Sequence, residues 1–187
     1  LFTAIPVGTI AFRLNLMSAF FGAATVALLA LFCWRLFRHL PAALLAALAF
    51  ALSFTFHEQA NVAEVYTLNT FFLALLLNVA LNWQRAAARD RRSHLLLFAL
   101  LFAIALGDHV NPLFLVPAFT LFALLSGFRP QREAGTVFWM LLLVAAGLSL
   151  YLYLPIRALE NPPVVNWLKT DTAAKVWSVL SAERFRG

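Results

Sequence analysis

The chain has 187 residues, of which 63% are hydrophobic and only 12% charged. Soluble domains carry about 25% charged residues and could not hide this much apolar surface, so composition excludes a soluble enzyme and selects an integral membrane protein. The net charge of +6 would suit nucleic acid in a soluble protein; here the arginines sit in short gaps between apolar runs, so topology accounts for them and no nucleic-acid partner is implied.

The chain opens on "LFTAIPVGTIAFRLN", with no Met and no basic leader before the first apolar run, and closes on "SAERFRG" without a clear stop. It is expected to be part of a single transmembrane domain, incomplete at both ends. Six apolar segments follow one another, at about Leu14 to Phe37, Pro41 to His57, Tyr66 to Trp83, Leu95 to Leu106, Pro112 to Leu125 and Thr136 to Leu154. Leu and Ala dominate them, which favours helix, and open sheet edges are not tolerated in lipid. The expected fold is an all-α, polytopic transmembrane helical bundle with six membrane segments. The single cysteine, Cys33, lies in an apolar run and reads as a small buried hydrophobe.

Two joints in this series are irregular. No Gly or Pro lies between Pro41 and Gly107, yet an unbroken helix from Pro41 to Trp83 would be about 65 Å long and overshoot a bilayer. The polar stretch His57 to Glu64 therefore reads as an outer turn or a protruding helix end. The fourth and fifth segments are shorter than the ~20 residues a span requires. Gly107, Asp108, His109, Asn111 and Pro112 separate them, so the pair either crosses a thin region or forms a hairpin whose tip lies in a protein cavity.

Charge orients the segments. Arg35 and Arg38 follow the first, Arg85, Arg89, Arg91 and Arg92 the third, and Arg129 and Arg132 the fifth. If the segments alternate in direction, all three clusters fall on one face, read as cytoplasmic. The opposite, outer face receives "HEQANVAE", "GDHVN" and the region after Leu154.

Chemistry gathers on that outer face. Within "FHEQANVAEVYTLN", residues His57, Glu58, Asn61, Glu64 and Tyr66 are candidate substrate-binding groups, because ionisable residues beside lipid commonly mark a site or a paired contact. In a continuous helix His57, Asn61 and Glu64 would share one face. The plainer readings are exposed loop carboxylates and an interfacial tyrosine anchor. Asp108 and His109, with Asn111, sit at a helix break; such a pair can act as a general base, as metal ligands or as a helix cap. Two adjacent ligands do not specify a metal, there is no zinc pattern, and a divalent-metal requirement stays open. In "YLYLPIRALENPPVVNW", Pro155, Pro162 and Pro163 are expected to stop the helix, leaving Arg157 just past the sixth segment. Its fork of donors suits the phosphate of a lipid-linked substrate, or lipid phosphate alone. Glu160, Asn161 and Asn166 supply groups suited to sugar hydroxyls, as a Pro-rich interfacial loop would in any case.

Four stretches, "FRLNLMSAFFGA", "QANVAEVYTLN", "GDHVNPLFLVP" and "YLYLPIRALENPPVVNW", in this order, resemble the bacterial DUF2723 family of multi-pass membrane proteins, related to the eukaryotic transmembrane O-mannosyltransferase TMEM-260 group. The resemblance implies a GT-C glycosyltransferase fold. It implies an enzyme that moves a sugar, mannose in the related group, from a polyprenyl-phosphate donor to a hydroxyl acceptor, a protein Ser/Thr or a glycan, on the outer face. It also implies the bacterial inner membrane as location, membrane lipid as a partner and a lipid-linked sugar in place of a cofactor. Two departures qualify it. The family's acidic "GDSGEF"-like motif and its "HPPGYP"-like segment are absent, so the catalytic acidic residue is expected upstream of this stretch. The family also often has Asn where this chain has Asp108, and "NWGDP" where it reads "NWLKT". Apart from the resemblance, the same residues suit a transporter or flippase of a lipid-linked or polar solute, or a non-catalytic membrane assembly protein.

Overall fold

The first helix, α1 (Ile10–Phe37), begins where Thr9 Oγ1 accepts the Phe12 N–H at 3.2 Å, satisfying one of the donors a helix start leaves open. It ends where Arg38 turns left-handed at φ 57°. The structure is a computed structural model and describes residues 2–160 and 170–181. Helix α2 (Leu40–Ala51) restarts at once: His39 Nδ1 accepts the Ala42 N–H at 3.1 Å, and Pro41 occupies the first turn, where its missing N–H costs nothing. At its far end the Ser53 hydroxyl donates to the Phe50 carbonyl at 2.7 Å, and α3 (Phe54–Ala60) departs at 69°. Helices α4 (Tyr66–Arg85) and α5 (Ala88–Asp108) follow. A 3-10 turn over Asn111–Leu115 leads into α6 (Val116–Leu125). Helix α7 (Ala134–Ser149), a 3-10 turn over Leu150–Leu152 and α8 (Tyr153–Glu160) make one apolar rod of 27 residues. Helix α9 (Ala173–Leu180) closes the described chain. No strand occurs among the described residues.

Contacts between helices give their directions. Phe21 meets Phe71 with ring centroids 5.3 Å apart, and Asn78 Nδ2 donates to the Leu28 carbonyl at 3.0 Å; α1 and α4 therefore run parallel. Helix α5 runs back against α4, because Tyr66 faces His109 at one end and Arg91 lies 4.5 Å over the Trp83 ring at the other. Gly147 lies against Ala103, and the Tyr151 hydroxyl donates to the Leu106 carbonyl at 2.6 Å, so α5 and α7 run parallel. Arg91 also donates to the Ser126 carbonyl at 3.0 Å, tying the α4–α5 turn to the α6–α7 connection. The three arginine clusters thus gather at one end of the bundle, with α3, the start of α4 and the end of α5 at the other.

Helix α4 is the central element, with nine buried residues, whereas α6 has none. Leu76, Phe102 and Leu106 form the core, flanked by Phe98, Leu101, Phe119 and Val144. Outward-facing Leu45, Leu125 and Leu141 are exposed, as expected of side chains that meet lipid rather than water.

Six comfortable spans are not found. Three helices are long and apolar enough to cross a membrane (α1, α4 and the α7–α8 rod), and a fourth span arises if the bent α2–α3 pair counts as one. The second segment is shortened by the bend near Ser53, which no Gly or Pro announces. The fourth is longer than expected, because α5 begins at Ala88 and carries Arg89, Asp90, Arg91 and Arg92 in its first turns. The fifth is divided between the 3-10 turn and α6. Pro155 does not stop the sixth: it lies in the first turn of α8, after the 3-10 turn, where a proline is tolerated. Arg157 is therefore helical, in the last turn of α8, rather than in a loop beyond the helix.

Candidate functional site

The end of the bundle away from the arginine clusters holds a crevice of about 450 Å³ lined by Phe50, Ser53, Thr55, Phe56, Gln59, Tyr66, Thr67 and Thr70. It exists because α3 turns away from α2 and returns the chain to the start of α4. Gly22 of α1 makes the return possible: a Cβ there would come 3.1 Å from the Ala60 Cβ. Phe56 packs inward against Phe50 at 4.3 Å between centroids, and this fixes which residues of α3 face the crevice.

Two polar atoms of the lining, Gln59 Oε1 and Thr67 Oγ1, are buried and have no hydrogen-bond partner among the described residues. Ser18 Oγ on α1 and Asn69 Nδ2 on α4 are in the same condition, and the parallel register of the two helices brings them to similar depth. A buried polar group left unpaired costs roughly 1–3 kcal/mol, so native proteins keep few of them.

Tyr66 links the crevice to a second polar group. Its ring lies 6.4 Å from that of His109. His109 Nδ1 accepts the Asn111 N–H at 3.1 Å, so this histidine helps cap the turn into the 3-10 segment. Asp108 lies two residues beyond the apolar stretch that ends at Leu106. Its Oδ2 is buried without a partner among the described residues, and burial pushes its carboxyl up from the usual 3.8 to about 6. The neighbouring turn is held by the Tyr151–Leu106 hydrogen bond. The crevice offers hydroxyls and an amide to a polar guest, and Asp108 lies outside its lining, beyond Tyr66 and His109.

The remaining candidates divide. His57 and Glu58 lie on α3 and are exposed, and Asn61 ends that helix, donating from Nδ2 to the His57 carbonyl at 2.8 Å. Glu64 sits in the turn before α4, also exposed. Because α3 stops at Ala60, His57, Asn61 and Glu64 do not share a helix face as a continuous helix would have arranged. Arg157 is half-buried and makes no ion pair among the described residues, and Glu160 is exposed. Asn161 and Asn166 lie outside the described residues. No cluster of three or more His, Cys, Asp or Glu able to hold a metal occurs among the described residues. Ser18, Gln59, Thr67, Asn69 and Tyr151 were not among the candidate site residues. The signal for Thr67 and Asn69 was a polar residue inside an apolar span.

A family model described as the protein O-mannosyl-transferase TMEM260 N-terminal domain matches residues 1–133. The mouse protein O-mannosyl-transferase TMEM260 is 30% identical over 172 residues, which cover 88% of this chain and 24% of the mouse protein. The chain thus spans about a quarter of the length of this relative. No solved structure matches.

Proposed function

Because the chain belongs to the TMEM260 N-terminal domain family of protein O-mannosyl-transferases, we propose that it forms part of a membrane glycosyltransferase that moves a sugar, mannose first among the candidates, from a polyprenyl-phosphate donor to a hydroxyl acceptor. One observation carries the reading: buried, unpartnered polar atoms of Gln59, Thr67 and Asp108 lie towards the arginine-poor end of a largely apolar bundle, with Asn78 Oδ1 and Trp83 Nε1 in the same condition elsewhere. Polar groups inside a membrane protein are expensive and mark functional sites by default, and hydroxyl and amide groups of this kind complete their bonds with sugar or serine hydroxyls.

In this reading the arginine-poor end faces the periplasm of a bacterial inner membrane, and the fold is of the GT-C type. The acceptor hydroxyl loses its proton to an acidic residue supplied by the rest of the protein and attacks the anomeric carbon. The bond from that carbon to the phosphate oxygen breaks, and lipid phosphate leaves. Arg157, with donors free of ion pairing among the described residues, takes the charge that grows on the leaving phosphate, stabilisation that acts chiefly in the transition state. Gln59, Thr67 and Tyr66 hold the sugar or the acceptor. His57, Glu58, Asn61, Glu64 and Asn111 form the rim.

The test is sugar release from labelled polyprenyl-phosphate mannose in vesicles containing the full-length protein, with and without a Ser/Thr-bearing acceptor. Acceptor-dependent release should fall about 100-fold in Arg157→Ala at unchanged protein abundance. Unchanged turnover in that variant removes Arg157 from the reaction. No release from mannose, glucose or arabinose donors, with the protein shown to be folded, favours transport of a lipid-linked solute.

A further inference from the structure

A second feature runs along the bundle towards its arginine-rich end. Between α5, α6 and α7 runs an apolar groove of about 360 Å³, within the usual range of ligand sites. Trp83, Phe98, Phe102, Phe119, Phe122 and Phe128 line it. It persists because α6 buries none of its residues and rests chiefly on aromatic contacts: Phe119 meets Phe98 edge-on at 4.9 Å, and Phe122 meets Trp83 at 6.2 Å.

No charged side chain lines the groove, but charge stands beside one end of it. Arg91 stacks 4.5 Å over the Trp83 ring and spends one donor on the Ser126 carbonyl at 3.0 Å; its other donors make no hydrogen bond among the described residues. Trp83 is 2% exposed, and its Nε1 has no hydrogen-bond partner among the described residues. The adjoining charges are mostly positive. Arg85, Arg89 and Arg92 lie on the same turn and Arg129 and Arg132 on the facing connection, with Asp90 engaged by Arg89 at 3.4 Å and Glu133 beyond them.

We propose that this groove binds an anionic glycerophospholipid of the surrounding bilayer, with an acyl chain along the aromatic lining and the phosphate on Arg91. Charge complementarity selects this occupant. An apolar channel would accept any hydrocarbon chain, but an arginine with free donors at its mouth, amid other arginines, favours a headgroup with net negative charge. The phosphate position at Arg91 lies at the other end of the bundle from the proposed sugar transfer, and the proposal does not depend on that reading. Its consequence is structural: the lipid supplies the packing that α6 lacks and fixes α6 against α5 and α7.

The experiment reads Trp83 directly. In the full-length protein with every tryptophan except Trp83 replaced by Phe, Trp34, Trp139, Trp167 and Trp177 of this chain among them, quenching by lipids with brominated acyl chains reports a chain in the groove. Brominated phosphatidylglycerol should quench at about fivefold lower mole fraction than brominated phosphatidylcholine, the preference one surface arginine supplies. Arg91→Gln should remove that preference, Arg91→Lys should keep most of it, and Ala123→Leu, which fills the groove, should weaken quenching by both lipids. Lipid retention by the unsubstituted full-length protein, read by native mass spectrometry, guards against a misfolded variant and should favour phosphatidylglycerol by the same factor. Equal quenching by the two headgroups overturns the proposal, as does an Arg91→Gln variant that keeps the preference. So does displacement of the brominated lipid by polyprenyl phosphate, or a groove that no lipid enters because a second protein copy covers it.

Discussion

Gly147 offers the sharpest test of the packing described above. A Cβ at this position would come 2.5 Å from the Ala103 carbonyl oxygen and 2.8 Å from its carbonyl carbon and Cα. All three atoms are backbone, so no side-chain rotation relieves the clash; α5 and α7 must separate by several tenths of an ångström. Small residues at such crossings are what allow helices in lipid to approach closely. Overpacking a tight contact costs about 1–3 kcal/mol, and the upper end applies where both walls are main chain. Alanine returns up to about 1 kcal/mol of helix propensity, which leaves Gly147→Ala roughly 2 kcal/mol less stable than the parent. Gly135→Ala in the same helix meets nothing within 4 Å and should be neutral or slightly stabilising. Unfolding by SDS titration in mixed micelles, with helicity followed by circular dichroism, compares the two. Equal midpoints would refute the close α5–α7 crossing. The clash also reaches the site, because Tyr151 reports on the same pair of helices through its bond to Leu106.

Two further outcomes are expected. Asn78→Leu removes the bond to the Leu28 carbonyl and should lower stability by about 1 kcal/mol in the same assay; a gain in stability would mean the α1–α4 interface does not need it. The Asp108 carboxyl is held in the folded protein at about 6, above its usual 3.8, so the folded state retains the proton longer than the unfolded one. The stability contributed by the protonated carboxyl is fully present below pH 3.8 and is lost as pH rises through about 6. Melting in detergent at a series of pH values should show this fall, and Asp108→Asn should flatten it; a variant with the parent's profile would assign the dependence elsewhere.

How far the sequence could be read depended on which signal each element carried. Arginine clusters and apolar runs are long-range features, and the gathering of Arg35, Arg85, Arg91 and Arg129 at one end of the bundle was legible from them. So was the start of α4 at Tyr66, where polar residues give way to apolar ones. The start of α5 was hidden because Arg89 to Arg92 resemble a loop, although charged side chains at a membrane helix end simply reach for water. At the bend before α3 the Phe50 carbonyl accepts both the Ser53 N–H and the Ser53 hydroxyl, a device with no composition signature. Pro155 misled for a related reason: whether a proline ends a helix depends on the turn before it, and the 3-10 turn over Leu150–Leu152 is a property of the folded chain. In the site, ionisable residues were conspicuous in the sequence, whereas Ser18 and Thr67 were camouflaged among apolar neighbours. Only burial separates a hydroxyl that faces a crevice from one that bonds back to its own helix.

The bend between α2 and α3 also has a consequence for the membrane itself. Helix α2 has 12 residues, a length of about 18 Å against the roughly 30 Å of a hydrocarbon core. Helix α3 leaves it at 69° with Leu52 and Phe54 exposed by 76% and 82% at the corner, so when α2 follows the bilayer normal α3 lies nearer the plane of the bilayer. A short apolar element with greasy residues at its corner draws the lipid surface down to meet it rather than stretching to reach that surface. With α2 set along the bilayer normal, lipid that thins to match its length would bring the membrane surface towards the mouth of the crevice, where a polar headgroup and a water-borne hydroxyl would each stay in its own phase.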